Sequence, residues 1–161
     1  MKPLRTAILG CGGWGGRHAQ NLVRLSQRVT LSAFCDTRPQ AAQAFAAQYG
    51  APGARVYDDH HELFERADLD LVFICLPPFA HSDEVECAAQ RGIHLLIEKP
   101  VALSSEHAWK MVEAVESAGI CTQVGFMYRF GAAVQALKAK MASGEAGAPG
   151  LMTARYFCNS L

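Results

Sequence analysis

Three glycines near the amino terminus, Gly10, Gly12 and Gly15, are spaced as G-x-G-x-x-G within the run GCGGWGGRH. In such a loop, the first glycine permits a tight turn, the second lets the backbone approach a pyrophosphate, and the third lets the following helix pack closely on a strand. The free N–H groups at the start of that helix favour an anionic phosphate. Because a glycine-rich turn also occurs for purely structural reasons, the context of the motif decides its meaning.

Asp36 supplies that context, since it directly follows the next strand-like run, VTLSAFC (29–35). A carboxylate at this place can accept hydrogen bonds from an adenosine ribose, and it repels the additional phosphate of NADP. Arg38 could hold that phosphate instead, or could be a solvated residue in the first turn of the next helix. The residues therefore predict a bound dinucleotide, with NAD the first choice and NADP the second. Gly13, Trp14 and Arg38 are included among the cofactor-binding residues, and Trp14 is expected to pack beside the loop.

Apolar strand-like runs alternate with helix-like stretches along the chain, and these elements would position the loop and Asp36. Strands are predicted at 6–9, 29–35, 54–57, 69–76, 93–98 and 120–126, and helices at 14–26, 39–49, 60–67, 83–91 and 105–117. The predicted N-caps of the later helices are Asp58 or Asp59, Ser82, and Ser104 or Ser105. The alternation predicts an α/β fold, a Rossmann-type doubly wound parallel sheet, over residues 1–125.

Three further segments follow predicted strands at their carboxyl ends: LPPFAH (76–81), IEKP (97–100) and GFMYRF (125–130). Ligands of open α/β sheets bind at that edge. The order GCGGWG, CDTRP, LPPFAH, GIHLLIEKP, VGFMYRF and SGEAGAPG resembles the amino-terminal half of the glucose–fructose oxidoreductase/inositol dehydrogenase (Gfo/Idh/MocA) family over nearly the whole chain. The resemblance implies NAD(P)-dependent hydride transfer at a secondary hydroxyl or carbonyl of a sugar or cyclitol.

By this resemblance, Lys99 is the catalytic residue and lies near the nicotinamide and the reacting hydroxyl. A lysine there could stabilise a developing alkoxide or relay a proton, and partial burial would favour its neutral form. Taken from the residues alone, Lys99 could instead be a surface side chain paired with Glu98. In the family the Lys–Pro bond is often cis, which would aim Glu98 and Lys99 into the cleft. Glu98, Lys99 and Pro100 are therefore expected to contact the cofactor.

Two other segments gain expectations from the resemblance. The family's loop after the fourth strand passes along the cofactor, and here it corresponds to Leu76, Pro77, Pro78 and His81. His81 could equally be a helix-start residue that bonds to the backbone. Tyr128 and Arg129 resemble the family's substrate-side or interdomain segment, which makes them expected substrate-binding residues alongside Lys99. Arg129 could instead brace a junction between domains.

Members of the family carry a second domain that forms the substrate floor and usually the oligomer interface. Here residues 126–161 are expected to form only the beginning of such a second α+β domain, with a helix at 131–142 and one strand at 151–158. That strand could pair with another copy of the chain, giving a homo-oligomer, or with a missing carboxyl-terminal half. The alternative to an oxidoreductase is a non-catalytic dinucleotide-binding module or subunit without a substrate domain.

The composition argues against several other functions. Fifteen Lys and Arg balance fifteen Asp and Glu, and no basic run indicates nucleic acid or a membrane surface. No stretch approaches the roughly 20 apolar residues of a membrane span. The six cysteines form no C-x-x-C pair, so the sequence signals no metal site, and unpaired thiols favour the cytoplasm. By the family resemblance, a small sugar or polyol is the expected partner.

Overall fold

The computed structural model describes residues 2–155 of the chain. The chain divides into two compact units, Met1–Gly125 and Phe126–Leu161. The strands of the first unit are β1 (Leu4–Leu9), β2 (Val29–Cys35), β3 (Arg55–Tyr57), β4 (Leu71–Ile74), β5 (His94–Ile97) and β6 (Thr122–Val124). Its helices are α1 (Gly13–Val23), α2 (Pro39–Tyr49), α3 (His60–Arg66), α4 (Glu84–Gln90) and α5 (Ser105–Ala118).

The sheet has the order β3-β2-β1-β4-β5-β6, and every neighbouring pair runs parallel. β1 lies in the interior, with β2 on one side and β4 on the other. The chain builds the sheet outward from β1 to β3 and then returns to β4, so the strand order reverses between β1 and β4. This reversal leaves a crevice at the carboxyl ends of the two strands. The predicted Rossmann-type doubly wound fold is confirmed.

The central strands are covered on both faces, as their apolar runs predict. Adjacent residues of a strand point to opposite faces, and β1 shows this directly. Ala7 packs with Val72 in one apolar cluster, whereas Ile8 packs with Phe34 in the other. All four residues are inaccessible to solvent. The two clusters anchor the helices on either side and hold the carboxyl edge of the sheet in place.

Several helix ends follow the predicted signals. The Asp59 carboxylate accepts a hydrogen bond from the Glu62 N–H, 3.1 Å away, and caps α3. The Ser104 hydroxyl accepts one from the His107 N–H, 3.2 Å away, at the start of α5. Gly119 follows α5 with a φ of +65°, which glycine adopts without steric cost.

The predicted cap of α4 is wrong. Asp83, not Ser82, precedes the helix, and its side chain makes no capping bond. Instead, the buried Glu84 carboxylate reaches back and accepts a hydrogen bond from the Ser82 N–H, 2.8 Å away. An acidic side chain in the first turn therefore satisfies the backbone donor of the residue that was expected to be the cap.

Other element bounds differ from the expectations. α1 ends at Val23 rather than near residue 26, because residues 24–28 form turns. β4 covers Leu71–Ile74 rather than 69–76, since its pairing with β1 extends only over Thr6–Leu9. Residues 151–155 form no strand. The rest of the predicted 151–158 strand lies outside the described residues.

The second unit contains a 3₁₀ turn, Met127–Phe130, followed by α6 (Ala132–Ala142). The helix agrees with the expected helix at 131–142. Among residues 2–155, no helix combines the length and the apolar character that crossing a membrane would require.

Candidate functional site

The loop between β1 and α1 is tightly fitted against the sheet. Gly10 has a φ of +96°, and a Cβ at this position would lie 2.5 Å from the carbonyl oxygen of Cys75. A Cβ at Gly15 would lie 2.2 Å from the carbonyl oxygen of Gly10. Because both obstacles are backbone atoms, neither can move aside cheaply. The structure therefore agrees with the turn role inferred for Gly10 and the close-packing role inferred for Gly15.

Gly12 and Gly13 differ from these two glycines, because a Cβ at either position would meet no protein atom within 4 Å. Protein packing thus does not require glycine here, and the space beside the loop is open. Gly12 precedes α1, no side chain caps this helix, and its first turn carries no acidic residue. The N–H groups at the helix start are therefore free of side-chain partners and suit a phosphate group. The loop fits a dinucleotide pyrophosphate.

Asp36 is fixed at the carboxyl end of β2, and it is 8% exposed. Its Oδ2 accepts a hydrogen bond from the Cys11 N–H at 2.8 Å, and its Oδ1 accepts one from the Arg38 N–H at 2.9 Å. The Arg38 guanidinium adds contacts of 3.0 Å to Oδ1 and 3.3 Å to Oδ2. The carboxylate thereby connects the glycine loop to the start of α2.

The surroundings of Asp36 keep it ionised. Burial alone would raise the pKa of Asp36, but hydrogen bonds from the Arg38 side chain and backbone and from the Cys11 N–H outweigh it and lower the pKa. Arg38, whose side chain is 68% exposed, is therefore an ion-pair partner of Asp36 rather than a simply solvated residue. The residue available to bind a ribose is a negatively charged acceptor.

A cleft of about 370 Å³ opens between the glycine loop and the segment that follows β4. Gly12 and Asp36 line one side, and Leu76, Pro77 and Phe79 line the other. This volume falls within the range of roughly 300–1,000 Å³ typical of small-molecule sites. The cleft lies at the switch point between β1 and β4, where ligands of such sheets bind.

The residues that follow β3 complete this cleft and were missed from the sequence. Asp58, Asp59 and His60 line it beside Thr37. Their position after a predicted strand, at the same edge of the sheet as Asp36, was the sequence signal that could have placed them in the cleft.

Three cysteines near the cleft have environments that favour the neutral thiol. Burial raises the pKa values of the Cys11, Cys35 and Cys75 thiols to about 12 each. Neutral, buried thiols act as small apolar residues, as expected for most cysteines of this chain.

Glu98 and Lys99 follow β5 at the same sheet edge, and the Lys99–Pro100 bond is cis, as the resemblance implied. The Lys99 ammonium lies 5.7 Å from the centre of the Trp14 ring, in the first turn of α1. Lys99 is exposed rather than partly buried, because it lies beyond the last covered residues of the strand. This contact of Lys99 with the Trp14 ring connects residues 98–100, called the EKP segment below, to the glycine loop.

Glu98 is paired with His18, a residue that the sequence did not single out. The Glu98 carboxylate is 7% exposed, and its Oε1 accepts a hydrogen bond from His18 Nε2 at 2.7 Å. The His18 ring packs on Phe73, with 5.1 Å between the ring centres. Glu98 Oε2 accepts a further bond from the Lys99 N–H at 3.2 Å. The signal available in the sequence was the position of His18 on α1, four residues after Trp14.

Gly125 completes the surroundings of Glu98. A Cβ at this position would lie 2.9 Å from each of the Cδ, Oε1 and Oε2 atoms of Glu98. The glycine after β6 therefore leaves room for a carboxylate that is held by His18 on one side and by the Lys99 backbone on the other.

The proline loop and its histidine are divided between the cleft and the interior. Leu76 and Pro77 line the cleft, whereas Pro78 begins a 3₁₀ turn, Pro78–Ala80. The His81 side chain is completely buried and its Nδ1 bonds to Glu84, while its Nε2 has no partner. His81 therefore contacts an acidic side chain of α4 rather than the backbone, and it does not line the cleft.

Tyr128 and Arg129 lie in the second unit, in the turn before α6, where the Arg129 guanidinium is 5.9 Å from the Phe130 ring centre.

A protein-family model described as an oxidoreductase family with an NAD-binding Rossmann fold matches residues 4–126 of the chain. Among curated relatives, the chain is 39% identical over 135 residues to an inositol 2-dehydrogenase of Arthrobacter sp. (strain FB24), covering 83% of this chain and 40% of the relative. It is 34% identical over 146 residues to a scyllo-inositol 2-dehydrogenase (NAD(+)) of Bacillus subtilis (strain 168), covering 91% of this chain and 42% of the relative. The chain thus spans less than half the length of these relatives.

Solved structures show the same partial match. A scyllo-inositol dehydrogenase from Lactobacillus casei, solved with bound NAD(H) and scyllo-inositol, superposes with a TM-score of 0.81 at 28% identity, over 91% of this chain and 43% of that one. The WlbA dehydrogenase from Chromobacterium violaceum, in complex with NADH and UDP-GlcNAcA, gives a TM-score of 0.83 at 28% identity, over 91% and 42%.

Proposed function

The chain belongs to the Gfo/Idh/MocA oxidoreductase family and carries its NAD-binding Rossmann fold, and on this basis we propose that it takes part in hydride transfer at a secondary hydroxyl or carbonyl of a sugar or cyclitol. Two similar proteins named as inositol dehydrogenases support this substrate class. The observation that carries the proposal is the single sheet edge shared by the glycine loop and the EKP segment, where Lys99 lies over Trp14.

In this proposal, residues 1–125 form the dinucleotide-binding domain and residues 126–161 begin a substrate and oligomerisation domain. The change from one compact unit to the next after Gly125 supports this division. Tyr128 and Arg129, at the start of the second unit, are assigned to the substrate side.

The residues that would hold NAD lie along the crevice. The loop at Gly12 and Gly13 and the start of α1 bind the pyrophosphate, and Asp36 accepts hydrogen bonds from the adenosine ribose. Leu76 and Pro77 form the apolar wall opposite. When bound, NAD supplies the acceptor or donor of the hydride.

The protein's own contribution to chemistry is assigned to Lys99. Its amino group accepts the proton that the substrate hydroxyl loses as the hydride leaves the carbon, and the resulting ammonium returns a proton to the carbonyl oxygen in the reverse direction. Glu98 positions this lysine, since its carboxylate accepts the Lys99 N–H and is itself fixed by His18. The lysine backbone is thereby tied to α1, the helix that begins at the phosphate-binding loop.

We assign NAD rather than NADP as the preferred cofactor, because Asp36 is an ionised carboxylate at the ribose position. A 2′-phosphate there would meet like charge. Arg38 does not reverse this preference while its guanidinium is paired with Asp36. The five described cysteines are all free thiols, which supports a reducing compartment, the cytoplasm.

Turnover with the purified chain tests this proposal. NAD⁺ reduction is followed with myo-inositol, scyllo-inositol and a glucoside, for the wild type and the variants Lys99→Met and Lys99→Arg. We expect Lys99→Met to lower kcat about 10²–10⁴-fold, the usual contribution of a positioned acid or base, and to change NADH affinity much less than kcat. Turnover undiminished in Lys99→Met would contradict the assigned role. NADH binding without turnover of any polyol would instead support a dinucleotide-binding module.

A further inference from the structure

A cluster of four metal-ligand side chains lies at the amino-terminal ends of α3 and α4. His60 and His61 are in the first turn of α3, Asp83 directly precedes α4, and Cys87 is one turn further along that helix. One ligand atom from each of the four residues can be chosen so that all of them lie within 4.8 Å of one another. We propose that these side chains form a binding site for one divalent cation of the zinc class.

The fold brings the ligands together although they are far apart in sequence. Asp83 and Cys87 are four residues apart, which places them on one face of α4. Asp59 caps α3 and fixes its first turn, from which His60 and His61 project. Because α3 and α4 lie next to one another in the fold, the two pairs of side chains converge, which no local spacing such as C-x-x-C could indicate.

The polar atoms of the four side chains lie near one another, in a wider arrangement than a tetrahedral site has. His61 Nε2 lies 3.6 Å from Asp83 Oδ1, and Cys87 Sγ lies 3.6 Å from both Asp83 Oδ2 and His61 Nδ1. His60 Nε2 lies 2.9 Å from Asp83 Oδ1. Metal–ligand bonds of 2.0–2.3 Å in tetrahedral geometry require ligand atoms about 3.3–3.6 Å apart. His61 meets Asp83 through Nε2 but Cys87 through Nδ1, and Asp83 likewise uses both of its oxygens. With one ligand atom from each residue, the separations reach up to 4.8 Å, so the side chains must rotate to draw these atoms together around an ion.

The ligand types select the class of cation. A thiolate together with two imidazoles and a carboxylate suits zinc, whereas calcium and magnesium prefer oxygen ligands only. Binding would replace the thiol proton of Cys87 with the metal, and that proton would be released to solvent.

Ring packing already fixes the two histidines of the proposed site. The rings of His60 and His61 are stacked, with 4.1 Å between their centres, and Phe64 packs edge-on against His60 at 6.3 Å. His61 and Asp83 are exposed, whereas His60 and Cys87 are partly buried. Two of the ligand side chains are thus held by packing, and the other two are open to solvent, which gives an ion a path of entry.

The site adjoins the cleft already described, because His60 also lines it. A cation that joins the first turns of α3 and α4 would hold the wall of the cleft formed by Asp59 and His60. The proposed role of the metal is therefore structural, and it does not depend on the reaction assigned to Lys99.

Cobalt substitution of the full chain tests the proposal. Co²⁺ is titrated into the reduced protein and followed by absorbance, and Zn²⁺ is then added with a chromophoric chelator as competitor. We expect one cobalt per chain, with the intense visible bands of tetrahedral coordination and a thiolate charge-transfer band that Zn²⁺ abolishes. Octahedral cobalt spectra without a thiolate band would overturn the proposal.

Variants separate this cluster from other ligands in the chain. Cys87→Ser should abolish the charge-transfer band, and His61→Gln should weaken metal affinity by about tenfold or more. Cys121→Ser is the matched control, since Cys121 is an exposed free thiol outside the cluster, and it should bind as the wild type does. If Cys87→Ser bound the metal with unchanged spectrum and affinity, the proposal would be wrong. Because His61 is exposed, its variant remains a test even if Cys87→Ser fails to fold.

Discussion

The substitution Gly125→Ala tests the packing that surrounds Glu98. The new methyl group would lie 2.9 Å from Cδ and both carboxylate oxygens of Glu98, well inside normal contact distance. The carboxylate is the end of a flexible side chain, but it is held at 2.7 Å from His18 Nε2 and 3.2 Å from the Lys99 N–H. Moving it aside by a few tenths of an ångström would weaken a charge-assisted hydrogen bond in a buried place.

The expected cost follows from these contacts. Overpacking of a filled site costs about 1–3 kcal/mol, and weakening a bond to a buried charge costs a similar amount. We therefore expect Gly125→Ala to lower the free energy of unfolding by about 1–3 kcal/mol. For a chain of this size, each kcal/mol corresponds to about 2–4 °C in Tm.

Thermal and urea unfolding of the full chain, followed by circular dichroism, provide the measurement. Gly150→Ala is the matched control, because a Cβ at that position meets nothing within 4 Å and should leave stability nearly unchanged. In a Glu98→Ala background, the cost of Gly125→Ala should largely disappear, since the obstructing carboxylate is gone. An equal cost in both backgrounds would refute the reasoning.

Further substitutions test the loop, the ribose acceptor and one ion pair. Gly15→Ala should destabilise the fold, because its Cβ would lie 2.2 Å from the Gly10 carbonyl oxygen. Gly12→Ala should keep wild-type stability but lower NADH affinity about tenfold or more. Equal unfolding midpoints for the two variants would contradict this expectation. Asp36→Ser should raise the affinity for NADPH relative to NADH, measured by fluorescence titration, and an unchanged ratio would count against the ribose assignment. The Arg5 guanidinium donates hydrogen bonds of 3.0 Å and 2.7 Å to the two carboxylate oxygens of Asp70, and these bonds lower the pKa of Asp70 to about 2. This pair therefore stabilises the fold above about pH 4 and ceases to do so as the pH falls through 2. Urea unfolding should accordingly show Asp70→Asn less stable than the wild type at pH 7 and nearly equal to it at pH 2, and a difference independent of pH would exclude this linkage.

The parts of the molecule that depend on short-range signals could be predicted from the sequence. The glycine spacing, the apolar runs and Asp36 lie within one βαβ unit, so their relation in space follows from the local pattern. The caps at Asp59 and Ser104 likewise depend on residues three positions away. Strand ends were less predictable, because the length of β4 is set by its pairing with β1 rather than by its own residues.

Contacts between distant residues could not be predicted from the chain alone. His18 and Glu98 are 80 positions apart and meet only because α1 and β5 reach the same sheet edge. His60 lies in α3 and Asp83 directly precedes α4, and the contact between these two helices is a property of the whole fold. The burial of His81 against Glu84 was hidden for a different reason, since its place in a proline loop suggested the cleft while its packing turned it inward.

Titration of the purified chain with NADH, followed by nicotinamide fluorescence, tests most directly that the glycine loop and Asp36 form a working dinucleotide site. We predict saturable binding at one site, with a Kd in the range of about 1 μM to 1 mM that is usual for metabolic ligands. Gly12→Ala should weaken that binding without unfolding the protein. A chain that is folded by circular dichroism but shows no saturable NADH binding up to millimolar concentrations would contradict the central claim.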